Sequence, residues 1–292
     1  MRISENGMVR TVVNDLMSNR SRLSDLQEQL SSGSIINRPS DDPGGTATVM
    51  QLRGTLSELD QYKSNADYAH DWLAATESAL NEATETLDRV RELAVQGASE
   101  TLGDDSLYGI AQEVAGLKDH LISLANTRHS GRYIFAGYDT RNAPVEVDAD
   151  GEIVQSYDLG PMMYEVGPGI RMQINVSGER VFSGLLELVG ELEEALLVGE
   201  HGQVGDMLED LDAEKDRLLA VRAEMGGRMN RLELSENRLE ELELSVRRVM
   251  SNTRDADVAE LVMHLATAER AYQTSLAAGA RILPQTLLDF LR

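Results

Sequence analysis

The chain has 292 residues, no cysteine, 41% hydrophobic but only 4% aromatic residues, and a formal net charge of -23. That length suits about two domains with a real buried core. The charge excludes a counterion-releasing face for duplex nucleic acid and a partner role at an acidic membrane surface. Without cysteine there is no disulfide, thiolate nucleophile or cysteine-based metal site.

The charge is unevenly placed. Residues 1–38 carry five arginines against four acids, and residues 251–292 four arginines against five acids. The interior therefore holds nearly all of the -23, with eleven acids against Lys215 and Arg217 across 181–220. Near-neutral ends suit burial in an assembly, where uncompensated charge is costly. An ordinary solvated surface accounts for the acidic interior.

The first apolar ladder is Val9, Val12, Leu16, Leu23, Leu26 and Leu30. Its spacings of three, four and seven make an a/d heptad, with Asn19 in the empty slot. Ser31-Ser32-Gly33 ends it. The segment Asn37-Arg38-Pro39-Ser40-Asp41-Asp42-Pro43-Gly44-Gly45 reads as a turn, with Ser40 or Asp42 capping the next helix.

A second ladder repeats every seven residues: Leu52, Leu59, Ala66, Leu73, Leu80, Leu87 and Ala94. At 1.5 Å per residue it predicts a rod of about 65 Å ending near Gly97, longer than most globular helices. After Gly103-Asp104-Asp105 a shorter amphipathic helix is predicted from about Ser106 to Arg128.

From about Gly131 to Arg180 the pattern becomes strands and turns. Tyr133-Ile134-Phe135 predicts a strand, Asp150-Gly151 a hairpin turn, and Gly167-Pro168-Gly169 a break. Helix resumes near Ser183. A third ladder, Val204, Leu211, Leu218, Met225, Leu232, Leu239 and Val246, matches the second in spacing and rung number. Two matched rods with an insertion between them should fold back antiparallel. A last helix begins near Asp255 or Asp257, with Val258, Leu261, Leu265, Ala268 and Tyr272 facing one way; Pro284 interrupts it before Leu287, Leu288 and Phe290.

The expected fold is mainly α with a small β insertion. It is a long antiparallel helical rod, a coiled-coil-like bundle, with paired N- and C-terminal helices. The parts are an N-terminal assembly helix (1–40), two rod halves (41–130 and 183–252), a β-rich outer piece (131–182) and a C-terminal assembly helix (253–292). An isolated amphipathic terminal helix is marginal in water, since ordering costs about 1–2 kcal/mol of backbone entropy per residue. Each fully buried leucine returns only about 1.5–3 kcal/mol. The ends therefore need a partner surface, in each other or in neighbouring copies.

Chemistry-bearing patterns are sparse. The five histidines, at 70, 120, 129, 201 and 264, never take a His-Glu-x-x-His spacing, and no nucleophile elbow or phosphate loop is present. Glu146, Asp148, Asp150, Gly151 and Ile153 match the opening of a calcium loop, but its twelfth place is Tyr157 and not glutamate. Asn175-Val176-Ser177 fits a glycosylation acceptor. No catalytic residue, metal site or cofactor is expected, and a metal-dependent enzyme using the acidic stretch would need clustered ligands.

Three segments resemble the flagellin family. They are Leu26-Gln27-Glu28-Gln29-Leu30-Ser31-Ser32-Gly33, Leu87-Asp88-Arg89-Val90-Arg91-Glu92-Leu93-Ala94-Val95-Gln96 and Ile282-Leu283-Pro284-Gln285-Thr286-Leu287-Leu288-Asp289-Phe290-Leu291-Arg292. Met1-Arg2-Ile3-Ser4, Asn37 to Pro43 and Gly131-Arg132-Tyr133-Ile134-Phe135-Ala136-Gly137 are more similar to the hook–filament junction branch of that family than to flagellin proper. The resemblance covers about 1–140 and 181–292.

It implies a structural, non-enzymatic protein of the bacterial flagellum, exported unfolded through the flagellar type III apparatus without a cleaved signal peptide. The implied partners are hook-associated protein 1, flagellin, further copies of itself in a ring, and an export chaperone before secretion. No nucleic acid, membrane or small-molecule substrate is implied. The alternative within the family is the bulk filament subunit. The expected assembly interface is Val12, Leu16, Leu23, Leu26 and Leu30 against Val258, Leu261, Leu265, Tyr272, Leu283, Leu287 and Leu288.

Overall fold

A computed structural model describes residues 2–99, 103–148 and 153–282. The helices are α1 (Arg2–Ser32), α2 (Pro43–Gly97), α3 (Asp104–Ala125), α4 (Gly184–Val198), α5 (His201–Arg254) and α6 (Val258–Ile282). Between α3 and α4 lie six short strands, β1 (Arg128–His129), β2 (Arg132–Tyr133), β3 (Val145–Val147), β4 (Ile153–Gln155), β5 (Met163–Gly167) and β6 (Ile170–Gln173), then a π-helical turn at Glu179–Ser183. The chain forms two compact units, Leu59–Glu241 and the combination of Met1–Glu58 with Leu242–Arg292.

The larger unit is built on the two ladders. Leu59, Ala66, Leu73, Leu80, Leu87 and Ala94 on α2, and Val204, Leu211, Leu218, Met225, Leu232 and Leu239 on α5, are all buried. The two helices run antiparallel, because their ion pairs descend one while climbing the other: Arg91–Asp212 (2.6 Å), Lys215–Asp88 (2.5 Å) and Arg222–Glu77 (2.8 Å). Exposed pairs of this kind contribute about 0–1 kcal/mol each, so they set register while the buried leucines supply most of the stability.

Two shorter helices close the other side of this core. Helix α3 doubles back along α2 through Arg89–Glu113 (2.6 Å) and His120–Glu82 (3.1 Å). Helix α4 packs along α3, joined to it by the Lys118–Glu193 ion pair. It ends at Gly199, whose φ of 82° is the left-handed cap that lets the chain reverse into α5. The core residues of all four helices form one continuous cluster with those of the β region.

The β insertion is three separate antiparallel hairpins, not one sheet: β1–β2, β3–β4 and β5–β6. The expected strand Tyr133-Ile134-Phe135 stops at Tyr133. Ile134 and Phe135 are fully buried beyond the strand end, and Phe135 packs edge-on against Phe182 with ring centroids 4.9 Å apart. Packing there overrides strand propensity, and the Phe135 carbonyl accepts its hydrogen bond from the Gly178 amide (2.9 Å). A Cβ at Gly137, where φ is 78°, would lie 1.7 Å from the Asp158 carbonyl oxygen, so only glycine fits that turn.

Hairpin β5–β6 docks onto the helices through polar anchors. Asn65 donates to the Glu165 carbonyl (2.8 Å) and Ser235 to the Val166 carbonyl (2.8 Å). Buried Arg228 donates to the carbonyls of Gln173 (3.2 Å) and Asn175 (3.0 Å) and to Glu224 (2.5 Å). Tyr68 stacks on Tyr164 with centroids 5.2 Å apart.

The smaller unit pairs α1 with α6. These helices are also antiparallel, since Ser34 meets Asp255, Asn19 meets Ser275, and Gly279 lies against Val12 and Leu16. No described helix is long and apolar enough to cross a membrane.

Candidate assembly surface

Local chemistry fixes where the terminal helices begin and turn. Gly33, with φ at 66°, ends α1 in the left-handed conformation. The chain then runs briefly beside the α5–α6 junction. Ile35 N–H donates to the Arg254 carbonyl (2.7 Å), and Ala256 N–H to the Gly33 carbonyl (3.0 Å). Buried Ser34 donates to the carbonyls of Ile36 (2.9 Å) and Arg254 (3.1 Å).

The turn after it is shaped by two aspartates. Asp41 accepts the amides of Asn37 (3.1 Å) and Arg38 (2.8 Å), and the Arg38 amide holds its carboxyl below the usual range. Of the two expected caps for α2, Asp42 takes the role, accepting the Gly44 amide at 3.0 Å; Ser40 reaches only its neighbour Asp41. Pro43 then sits at the first helical position, where a missing N–H costs nothing. At the other end Asp257 caps α6, accepting the amides of Ala259 (2.9 Å) and Glu260 (3.2 Å).

The inner stripe of the α1–α6 pair is the first ladder. Val9, Val12, Leu16, Leu23, Leu26 and Leu30 are half-buried, as are Leu265 and Tyr272 on α6, and Leu261 is buried. Asn19, in the gap of the heptad, donates to Ser275 Oγ at 3.0 Å. A polar contact at such a position fixes register at some cost in stability. Gly279 is buried against Val12 and Leu16, where an added Cβ would stand 3.2 Å from Val12 Cγ1.

One expected inner residue does not join this stripe. Val258 is 55% exposed, because it is the first residue of α6, immediately after the capping Asp257, and its side chain falls outside the seam. Leu283, Leu287 and Leu288 lie outside the described residues.

A second set of apolar residues went unread in the sequence. Val13 and Met17 on α1, and Val262, Met263 and Leu276 on α6, stand 36–66% exposed. The available signals were the i, i+4 spacing of Val13 and Met17 and the two-heptad interval from Val262 to Leu276. The terminal pair is thus apolar on the face it closes and on part of the face it leaves open. Exposed apolar side chains on such a pair leave area that a neighbouring chain can bury.

Among the described residues no group of three histidines or acids could hold a metal ion. Glu146 sits on β3 opposite Val154, in an ordinary hairpin register, and residues 149–152 lie outside the described residues. Asn175 is 2% exposed, its side chain bound to the Met162 amide (2.8 Å) and the Gly160 carbonyl (2.9 Å), so the possible glycosylation acceptor is inside the fold.

Comparison with known proteins matches two signatures: the bacterial flagellin N-terminal helical region over residues 3–140 and the bacterial flagellin C-terminal helical region over residues 208–291. The chain is 26% identical to flagellar hook-associated protein 3 of Escherichia coli over 95% of its length and 96% of that protein. It is 27% identical to the flagellin of Bacillus subtilis over the whole of both chains. Its fold resembles the crystal structure of flagellar hook-associated protein 3 from Legionella pneumophila, with a TM-score of 0.65 and 14% identity over 70% of this chain and 98% of that one.

Proposed function

The chain belongs to the bacterial flagellin family, a flagellar structural protein, and from that premise we propose that it forms the junction between hook and filament. In this reading copies of the chain make a ring that joins hook-associated protein 1 to flagellin. The observation that carries assembly is the terminal helix pair, which closes one apolar stripe and leaves Met17, Val262, Met263 and Leu276 open. Burying such side chains against neighbouring subunits contributes up to about 1.5–3 kcal/mol each.

The junction role, as against the bulk filament, is supported by the segments at residues 1–4, 37–43 and 131–137, since the full-length likeness is as high to a flagellin as to hook-associated protein 3. The chain is also proposed to leave the cell through the flagellar export apparatus. Its apolar terminal face would be covered by an export chaperone beforehand. Val12, Leu16, Leu23, Leu26, Leu30, Leu261, Leu265 and Tyr272 are proposed to govern assembly, a reading supported by their half-buried or buried positions on the two paired helices.

Seeded growth tests the assignment. Purified protein added to hooks ending in hook-associated protein 1 should add a layer of limited length, on which flagellin then polymerises. Long filaments grown from this chain alone would make it a filament subunit instead.

A further inference from the structure

Unit Leu59–Glu241 carries a basic groove on an otherwise acidic chain. It lies between β6 and α5, has a volume of about 590 Å³, and has Met172 and the buried Arg228 and Ser235 in its lining. Arg228 is balanced by Glu224, which pairs with Arg180 as well. Three further arginines, Arg171, Arg231 and Arg238, line the groove exposed, and none has a carboxylate within ion-pair distance among the described residues. Glu165 faces Arg171 across the hairpin without forming such a pair. On α5 the carboxyl of Glu236 lies near His70 and Asp67 of α2 and near Glu233 and Glu240. Between Arg231 and Arg238 stands Leu234, 69% exposed. The spacing i, i+3, i+7 puts all three on one helix face.

The complementary pattern occurs on the same unit. A recess of about 400 Å³ at the α4–α5 turn is lined by Glu191, Glu194, Ala195, Val198, Glu200 and Gln203. Val198 is 66% exposed, and the three glutamates have no cationic partner among the described residues. Both surfaces thus place an exposed aliphatic side chain among three unpaired charges, basic in one and acidic in the other. They are separated by the length of α5 between His201 and Leu234, roughly 50 Å at 1.5 Å per residue. One molecule therefore cannot close them on each other.

We propose that the Arg171–Arg231–Leu234–Arg238 groove of one copy receives the Glu191–Glu194–Val198–Glu200 surface of a second copy. Because the two surfaces differ, the contact is heterologous. Repeated, it propagates from copy to copy and closes into a ring or runs on as a filament. Opposed charge supplies orientation and encounter rate, while copies that meet groove to groove or acid to acid repel. The proposal extends the assembly reading to a surface which that reading does not use, and it rests on that reading only in supposing that copies of the chain meet.

The absence of cysteine makes cross-linking a clean test. Full-length Val198→Cys and Leu234→Cys variants are prepared, checked by circular dichroism and mixed under mild oxidation. The mixture should give a disulfide dimer at least tenfold above either variant alone, and the double variant should give a ladder of multimers. Adding Arg231→Glu and Arg238→Glu to the Leu234→Cys chain should return the yield to baseline. Glu191→Arg with Glu194→Arg on the Val198→Cys chain should restore it. If the reversed chain fails to fold, Arg231→Gln with Arg238→Gln replaces it, and yield should fall without rescue by the arginine pair.

A mixed yield no higher than that of the single variants, or one indifferent to charge reversal, overturns the proposal. Loss on the glutamate-reversed chain without rescue by Glu191→Arg with Glu194→Arg also overturns it. Leu26→Asp should leave this cross-link unchanged, which separates failure here from failure of the terminal-helix reading.

Discussion

The two units bury their ladders to different depths. In Leu59–Glu241 the large side chains Trp72, Leu73, Leu80, Leu87, Leu121, Phe135, Phe182 and Leu185 are at most 1% exposed. In the other unit the only buried large apolar side chains among the described residues are Val49 and Leu261, and the six-rung ladder of α1 is half-buried throughout. Both carry heptad patterning, broken in α1 only at Asn19. What differs is the number of helices meeting at the seam. In the larger unit α3, α4 and the β hairpins cover the rungs that α2 and α5 leave open, whereas in the smaller unit the α1–α6 pair leaves its ladder half-buried. Regular periodicity therefore tells which residues share a face, and the number of neighbours decides whether that face is closed or still available.

Truncations should expose this difference most strongly. Leu80→Ala removes a fully buried side chain and should cost about 2–5 kcal/mol in denaturant unfolding of the larger unit. Leu26→Ala, at a half-buried position, should cost about 1 kcal/mol or less, scaled from partial burial. Equal costs would mean that the terminal pair has a closed core of its own.

Charge placed in the seam should reverse the order of effects on assembly. Leu26→Asp or Leu265→Asp should abolish growth on hook ends while the unfolding free energy of the larger unit changes by less than about 0.5 kcal/mol, the usual range for changes away from a core. Normal assembly with either substitution would remove the α1–α6 seam from the mechanism.

A smaller effect isolates the start of α6. Asp257→Ala leaves the Ala259 and Glu260 amides without their acceptor and should cost about 1 kcal/mol of local stability. Amide exchange in the first turn of α6 should rise about five- to tenfold, a ratio that follows from that free energy. Exchange within α2 should not change.

Much of the architecture was legible before any coordinates. The spacing of seven in α2 and α5, the stop at Gly33 and the end of α2 at Gly97 follow from periodicity and helix-ending residues. The sequence of α4 reads as helix, but its place beside α3 does not, because that pairing joins residues some 75 positions apart, as Lys118 and Glu193. The β region was legible as strand and turn in composition. Its division into three hairpins, and the burial of Ile134 and Phe135 outside a strand, depend on contacts with residues such as Phe182 that no local pattern encodes. In the α1–α6 pair the apolar stripe was legible and the exposed apolar residues were not. Val13, Met17 and Met263 sit off the a/d stripe, and spacing alone does not say whether a further helix covers them.

Hydrogen exchange on the purified monomer, repeated after assembly on hook ends, tests the difference between the units most directly. Amides of 7–32 and 258–280 should exchange far faster in the monomer than those of 66–94 and 204–239, since helices with few buried contacts open locally at low free energy. Assembly should then protect the terminal segments to the level of the core. Equal protection of both sets in the monomer, unchanged on assembly, would contradict a terminal pair that is completed by its neighbours.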